Sequence, residues 1–134
     1  DYMPGLAHFI EHTIVMGSKH YPGTNDFYDL LALNGGISNA FTSGEVTDVN
    51  YQVNTDALDE SLEMLADMYK YPTFPYKTCQ LESFAIESEF QLSYNTLFYR
   101  VEGVLLDLYD DDNPAGKFTV GNYQTLIANI IASG

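Results

Sequence analysis

The chain has 134 residues, 46% of them hydrophobic and 14% aromatic, and a formal net charge of −14. This composition suits a globular protein with its own core, and we expect one domain across residues 1–134. With only five lysines and arginines, the chain has no basic surface for phosphates or anionic lipids, so neither nucleic acid nor a membrane is expected as a partner.

Cys79 is the single cysteine, so the chain has no internal disulfide. This fits a reducing compartment and predicts a cytoplasmic protein, with Cys79 as a small buried thiol on a helix. No apolar run is long enough to span a membrane. The sequence opens at Asp1 without a methionine, a few residues before a predicted helix, and we interpret it as a segment of a longer protein.

The first part of the chain predicts two short helices. Residues 5–17 carry apolar residues at helical intervals, with Pro4 ahead and Gly17 at the end, as helix termini favour. The apolar residues are Leu6, Phe9, Ile10 and Ile14. The second helix begins after Asn25, an expected N-cap, and ends at Gly35–Gly36.

The middle of the chain predicts a hairpin and an amphipathic helix. β-branched and aromatic residues flank Ser43-Gly44-Glu45, which predicts antiparallel strands near 37–42 and 47–53. Apolar residues then repeat at intervals of four, three and four in a helix that must end before Pro72. They are Leu58, Leu62, Leu65 and Tyr69, and the acids between them form the solvated face.

Two further helices are predicted, from about Tyr76 to Tyr94 and from Leu97 to Leu108. The acidic stretch "DDDNPAG" that follows lacks the spacing of a calcium loop, and "NPAGKF" lacks the first glycine and the Ser/Thr of a phosphate loop. We interpret both as surface turns.

Two of the three histidines lie four residues apart in "GLAHFIEH", residues 5–12. On a helix, positions i and i+4 lie about 40° apart, so His8 and His12 can direct nitrogens at one ion at about 2.0 to 2.1 Å. Glu11 is close enough to that face to act as a base on a water at the metal. A chance match in a chain of this size is expected at about a few per thousand. His20 is interpreted as a satisfied core histidine.

A third metal ligand should be a carboxylate, because cysteine and spare histidine are scarce. Glu82, Glu87 and Glu89 are the candidates. Glu82 and Glu89 are seven residues apart and share one helix face, whereas Glu87 is turned away and is expected to face solvent. Spacing does not decide which of the pair binds. Two histidines and one glutamate leave a position open for water, as catalytic zinc sites do and closed structural sites do not.

Residues 8–12 have the H-x-x-E-H pattern of inverzincins, and the sequence resembles the insulin-degrading enzyme and pitrilysin family of zinc metallopeptidases. The resemblance is carried, in chain order, by "GLAHFIEH", "MGSKHYP", "SNAFTSGE", "LESFAIESE" and "KFTVGNYQTL". "SNAFTSGE" and "GNYQTL" look closer to the insulin-degrading enzyme branch than to mitochondrial processing peptidases or nardilysin. The resemblance implies an α+β fold, in which residues 1–134 form part of an N-terminal catalytic domain with a mixed, mostly antiparallel sheet flanked by helices.

The resemblance also implies roles for the candidate site residues. One zinc ion would be held by His8, His12 and Glu89, with Glu82 supporting the site. The ion would polarise the scissile carbonyl and lower the pKa of water there toward about 7. Glu11 would be the general base, taking the proton of that water and passing it to the leaving amine.

By the same resemblance, "SNAFTS" is an edge strand on which a peptide binds as an added strand. Asn39 and the main chain of Ala40 would meet the peptide near the cleaved bond, and Phe41 would line a pocket. From the residues alone, Phe41 fits equally well in the core. Tyr99 would line the cavity by resemblance, although core packing is its simpler interpretation.

We therefore expect a zinc endopeptidase that cleaves small peptides or unfolded polypeptides in a chamber. Its partners would be peptide substrates and the remaining domains of the parent chain. The alternatives are a non-catalytic peptide-binding or scaffold subunit of the same fold, and a zinc hydrolase for small molecules. Because the hairpin strands expect neighbours from a missing N-terminal segment, the isolated 134 residues are expected to fold poorly or bind zinc weakly. Because groups that grip the substrate would come from the other half, they are also expected to cleave peptides inefficiently.

Overall fold

The computed structural model describes residues 3–110 and 113–128, and within them one hairpin is combined with five α-helices. The elements are α1 (Leu6–Thr13), α2 (Asp26–Leu33), β1 (Ile37–Thr42), β2 (Thr47–Gln52), α3 (Leu58–Lys70), α4 (Tyr76–Tyr94) and α5 (Leu97–Leu106). Short helical turns lie at Thr55–Ala57, Pro114–Gly116 and Gln124–Ala128. The α+β class is confirmed. None of the described helices is both long and apolar enough to cross a membrane.

The two strands pair as an antiparallel hairpin, as predicted. The register runs from Ile37 opposite Gln52 to Thr42 opposite Thr47. The Ser43 N–H donates to the Val46 carbonyl at 2.8 Å and closes the turn. In the described part of the chain the sheet has only these two strands, so one edge of each strand has no strand partner there.

The core lies where α1, α2 and α3 meet beside the hairpin. Its buried residues are Ile14, Val15, Phe27, Leu31, Met64 and Met68. The Phe27 ring packs edge to face against Tyr51 of β2, with ring centroids 5.4 Å apart. Because Phe27 is fully buried, truncating it to alanine would cost about 3 to 5 kcal/mol. This core fixes α1 against the hairpin.

The predicted apolar repeat on α3 matches the buried face of the helix only at Leu65, which packs against the core. Leu58 and Leu62 are exposed, whereas Ser61, Met64 and Met68 are buried. The Ser61 hydroxyl is satisfied within the helix, because it donates to the Leu58 carbonyl at 2.8 Å. The flexible methionines fill the space against α1 and α2. The leucine repeat therefore indicated a helix correctly but, apart from Leu65, predicted the wrong buried side.

The observed helix boundaries agree best with the predicted ones for α4, which begins and ends at the predicted residues. α1 ends at Thr13, four residues before Gly17, and continues as a turn in which the Met16 N–H donates to the Thr13 carbonyl at 3.1 Å. Within α1, Leu6 and Ile10 are exposed although their spacing helped to predict the helix. Its buried side carries polar residues instead, and these belong to the site described below.

Asp67 of α3 fastens the loop that follows α1. The Ser18 hydroxyl donates to Asp67 Oδ2 at 2.5 Å, and His20 Nδ1 lies 2.7 Å from Asp67 Oδ1. The hydrogen bonds from Ser18 and then His20 lower the pKa of Asp67 to about 2. The prediction that His20 is a core histidine was wrong. It is an exposed loop residue that is paired with a carboxylate.

We predict that Asp67→Asn destabilises the protein at pH 7 and that this difference narrows below about pH 4. The ordinary pKa of an aspartate side chain is 3.8, whereas the pKa of Asp67 in the folded chain is about 2. Its ionised form therefore stabilises the fold above the unfolded pKa, and this contribution is lost as the pH falls toward the folded value. Urea unfolding between pH 3 and 7 measures the difference in the free energy of unfolding between the wild type and the variant, with Asp59→Asn on the same helix as control. A difference that stays constant below pH 4 would contradict the assignment.

Candidate metal centre

Helix α1 brings two imidazoles together at the point where it packs on α4. His8 and His12 are one turn apart, and their Nε2 atoms lie 3.2 Å from each other. The rings are nearly perpendicular, at 88°, with centroids 4.7 Å apart. The i, i+4 spacing therefore places both Nε2 atoms at one point in space.

Each histidine is held by its other nitrogen. His8 Nδ1 lies 2.8 Å from the Val120 carbonyl, and His12 Nδ1 lies 3.1 Å from Glu82 Oε2. Because a carbonyl or carboxylate oxygen accepts, each Nδ1 carries the proton and each Nε2 of a neutral ring keeps its lone pair. Two lone pairs that face each other at this distance repel unless a cation or proton lies between them.

Glu89 of α4 completes the group of donors. Its Oε2 lies 3.6 Å from His8 Nε2 and 3.7 Å from His12 Nε2. A tetrahedral ion bound at about 2.0 to 2.1 Å would hold its donors about 3.3 Å apart. The three donor atoms therefore suit a zinc ion after small movements. The Glu89 side chain is 49% exposed, so the group is open on one side.

The three glutamates of α4 occupy different places around this group. Glu89 lies on the Nε2 side and Glu82 lies behind His12, on its Nδ1. The prediction that Glu87 faces solvent was wrong. Glu87 is half-buried, and its Oε2 accepts the Tyr123 backbone N–H at 2.9 Å. Glu87 faces the segment that follows α5, because that segment folds back onto α4.

Glu11 is the buried acid of α1, with 9% of its surface exposed. Its Oε2 accepts the Thr42 hydroxyl of β1 at 2.5 Å, and Thr42 Oγ1 also lies 3.0 Å from Thr47 Oγ1. The end of the hairpin thus orients the carboxylate. Thr42 was not singled out in the sequence, although its place at the end of "SNAFT" was a usable signal.

Strand β1 runs past Glu11 with one edge unpaired within the described residues. Asn39 and Phe41 are on its exposed face and Ala40 is half-buried. Phe41 is 54% exposed, so the alternative that it packs in the core was wrong. A cavity of about 210 Å³ lies beside Glu11, lined also by Tyr28, Ser38, Asn39 and Ala40 among others.

A larger cavity of about 870 Å³ is lined by the hairpin turn and by Val120, and it extends over the end of α4 and over α5. Aromatic side chains line much of it: Phe90, Tyr94, Phe98, Tyr99 and Phe118. Tyr99 is exposed in this cavity, so its predicted packing in the core was wrong. The volume is that of a pocket able to take several side chains of a ligand.

One feature of the centre could not be found from side-chain types. The Val120 partner of His8 is a backbone carbonyl, which every residue has, and it lies 112 residues away in sequence. Its position depends on how the "GNYQTL" segment packs. The "GNYQTL" motif indicated that this segment is important, but it did not indicate which residues the segment contacts.

A model of the insulinase family, peptidase family M16, matches residues 1–106. The crystal structure of pitrilysin superposes with a TM-score of 0.84 at 33% sequence identity. The superposition covers 91% of this chain and 13% of the pitrilysin chain. Sequence and fold therefore agree on the same group of proteins.

Curated relatives match along almost the whole chain. Insulin-degrading enzyme-like 1, peroxisomal, of Arabidopsis thaliana is 32% identical over 132 residues, which is 98% of this chain and 14% of the relative. A putative zinc protease of Caenorhabditis elegans is 32% identical over 125 residues, 93% of this chain and 15% of the relative. Nardilysin of Homo sapiens is 36% identical over 126 residues, 94% of this chain and 11% of the relative.

The chain thus spans 11 to 15% of the length of these relatives. The insulin-degrading enzyme and nardilysin branches both match over most of the chain. These identities support the family resemblance, and the assignment to one branch stays a prediction.

We predict that Glu89→Ala lowers zinc affinity more than Glu82→Ala does. Loss of a partner that orients a ligand typically costs about 10 to 100-fold in metal affinity, and loss of a ligand costs more. A competitive chelator titration would rank the two variants, with Ser88→Ala on the same helix as control. If Glu82→Ala proved the more damaging change, the carboxylate that binds the metal would have been wrongly assigned.

Proposed function

The chain belongs to the insulinase family of M16 peptidases, and on this premise we propose that it carries the metal centre and the general base of a zinc-dependent endopeptidase. The observation that carries the proposal is the convergence of two imidazole Nε2 atoms and one carboxylate beside the buried Glu11. A purely structural role explains neither the two facing lone pairs nor an acid buried next to them.

The donor set fits zinc, with His8, His12 and Glu89 as the protein ligands and one position left open. When bound, zinc polarises a carbonyl and lowers the pKa of water, which makes peptide hydrolysis possible near neutral pH. Val120 and Glu82 orient the two imidazoles from behind. Their hydrogen bonds keep both rings in the tautomer that can ligate.

Glu11 is proposed as the general base. Its side chain is on the same helix as both histidines, and the Thr42 hydroxyl holds Oε2. The carboxylate accepts a proton from the attacking water and then donates it to the nitrogen of the departing amine. Burial limits the competing water around the carboxylate, so its orientation is kept through both proton transfers.

A peptide substrate is proposed to bind along the edge of β1 that has no strand partner among the described residues. Main-chain N–H and C=O groups on that edge can pair with an extended peptide, and alternate side chains then face opposite sides. Asn39 and the main chain of Ala40 would lie near the cleaved bond. Phe41 projects from the exposed face of the strand and would line a pocket for a substrate side chain.

We predict that Glu11→Gln keeps zinc but abolishes peptide cleavage. The amide retains the shape of the carboxylate but cannot accept the proton of the attacking water. Zinc content and cleavage of an unstructured quenched peptide should be measured together in the complete polypeptide, with and without chelator. Cleavage near the wild-type rate would show that Glu11 is not the base.

The same assay distinguishes the alternative functions. A scaffold subunit would bind peptides without cleaving them at any zinc occupancy. A zinc hydrolase for small molecules would require the metal but leave the peptide panel intact. The presence of the histidine pair, Glu11 and Glu89 favours the peptidase over the scaffold subunit. The strand edge of β1, which suits an extended peptide, favours it over the small-molecule hydrolase.

We also predict that the isolated 134 residues cleave peptides at least about 100-fold more slowly than the complete polypeptide. The edges of β1 and β2 that lack a strand partner in residues 3–110 and 113–128, and the exposed leucines of α3, favour misfolding or aggregation when nothing covers them. Losing even one group that stabilises the transition state costs about 100 to 1,000-fold. Both forms should be compared on one peptide at equal zinc occupancy. Equal rates would make this chain a self-sufficient enzyme.

A further inference from the structure

We propose that Glu87 is a positioning residue for the metal centre, which acts on His8 through the segment 117–123. The inference rests on the zinc site proposed above. Of the three glutamates on α4, Glu87 is the one that contacts neither His8 nor His12. The connection passes from the Glu87 carboxylate to the Tyr123 backbone and from there to the Val120 carbonyl.

Glu87 makes two hydrogen bonds at a half-buried position. Its Oε2 accepts the Tyr123 backbone N–H at 2.9 Å, and its Oε1 accepts Gln91 Nε2 at 2.8 Å. The bond to Tyr123 therefore ties the returning segment to α4 at one defined point.

A second residue of α4 also contacts Tyr123. The Phe84 ring stacks on the Tyr123 ring, with centroids 5.0 Å apart and an interplanar angle of 11°. Phe84 and Glu87 are three residues apart, so they are neighbours on one side of the helix. Tyr123 is thus held by its backbone and by its side chain.

Two hydrogen bonds and one close backbone contact hold the segment between Tyr123 and Val120 in place. Asn122 Oδ1 accepts the Thr125 N–H at 2.9 Å, and Thr125 Oγ1 accepts the Asn122 N–H at 3.0 Å. Gly121 has φ 77° and meets Gly5 so closely that a Cβ on Gly5 would lie 2.2 Å from Gly121 Cα. The segment therefore crosses the start of α1 directly, three residues before His8.

The result is a fixed carbonyl at His8. The Val120 carbonyl accepts the His8 Nδ1–H at 2.8 Å, which sets the tautomer and the tilt of the ring. If the segment moved, the tautomer and the tilt of the His8 ring would no longer be fixed, while His12 would keep its hydrogen bond to Glu82. Helix α4 would then supply one ligand, Glu89, and also the anchor that orients another ligand.

The test compares two changes at Glu87 by competitive zinc titration of the complete polypeptide. Glu87→Ala is expected to lower zinc affinity about threefold to tenfold, less than loss of a group that touches the ligand directly. Glu87→Gln is expected to stay within about twofold, because its amide oxygen still accepts the Tyr123 N–H. Equal losses in both variants would mean that charge, not position, matters, and would overturn the proposal.

The matched controls separate the two hydrogen bonds of Glu87. Gln91→Ala removes only the bond on Oε1 and is expected to leave zinc affinity unchanged. Phe84→Leu loosens the other contact to Tyr123. Its effect should combine with Glu87→Ala less than additively, because both act on one segment. If the losses of zinc affinity were fully additive, Glu87 and Phe84 would not act through the same contact with Tyr123, and the proposal would be contradicted.

A metal-free measurement keeps the test independent of zinc and of activity. Nitrogen-15 shifts of selectively labelled histidines report which ring nitrogen carries the proton. Glu87→Ala should reduce the Nδ1–H form of His8 and leave His12 unchanged. An unchanged His8 would overturn the proposal even if zinc affinity fell. If the wild type bound no zinc, the proposed function would fail, while the His8 shifts would still decide the role of Glu87.

Thermal unfolding of the metal-free variants shows whether they fold. Should Glu87→Ala unfold, the comparison of Glu87→Gln with Phe84→Leu still tests the proposal. The amide variant is expected to retain the His8 tautomer and Phe84→Leu to weaken it. If Glu87→Gln weakened the His8 tautomer and Phe84→Leu retained it, the proposed connection from Glu87 through Tyr123 to His8 would be contradicted.

Discussion

The candidate metal centre depends on which nitrogen of each histidine carries the proton. A carbonyl behind His8 and a carboxylate behind His12 each hold an Nδ1–H, so both Nε2 lone pairs face the same space. Without those two acceptors the rings could rotate or change tautomer, and the i, i+4 spacing would bring together one donor and one acceptor. The acceptors lie on segments that are distant in sequence, so the centre exists only when the whole chain packs.

Helix α4 organises this packing. It carries Glu82 behind His12, Glu89 on the open side and Glu87 on the returning segment, all within about two turns. Nineteen residues of continuous helix give these three acids fixed relative angles. A rigid element that supplies both ligands and supports is more accurate than loops would be, because its side chains share one backbone frame.

The exposed surface is consistent with the small share of each relative that the chain covers. Apolar residues of α3, and aromatic residues at the end of α4 and on α5, remain in contact with solvent. Surfaces of this kind usually contact other parts of a protein or a ligand. The family connection is therefore shown for this chain, whereas substrate binding and turnover belong to the proposal for the complete polypeptide.

The sequence by itself determined the local structure and the family. Spacing within one helix fixes angles within that helix, so His8, Glu11 and His12 could be placed on one turn from the pattern alone. The hairpin and the limits of α4 were likewise readable, because turn residues and periodicity act over a few positions. Motif blocks in order predicted the family, which the comparisons confirm.

The tertiary structure decided which faces are buried and what lies behind each ligand. The leucines of α3 look like a core stripe, yet Leu58 and Leu62 are exposed and Met64 and Met68 are the buried residues of the core cluster that includes Phe27. Glu87 has the spacing of a solvent-facing acid, yet Tyr123 reaches it across 36 positions. The partners of His12 and His8 lie 70 and 112 residues away. Such contacts depend on how helices pack and where loops return, and short-range periodicity carries no information about either.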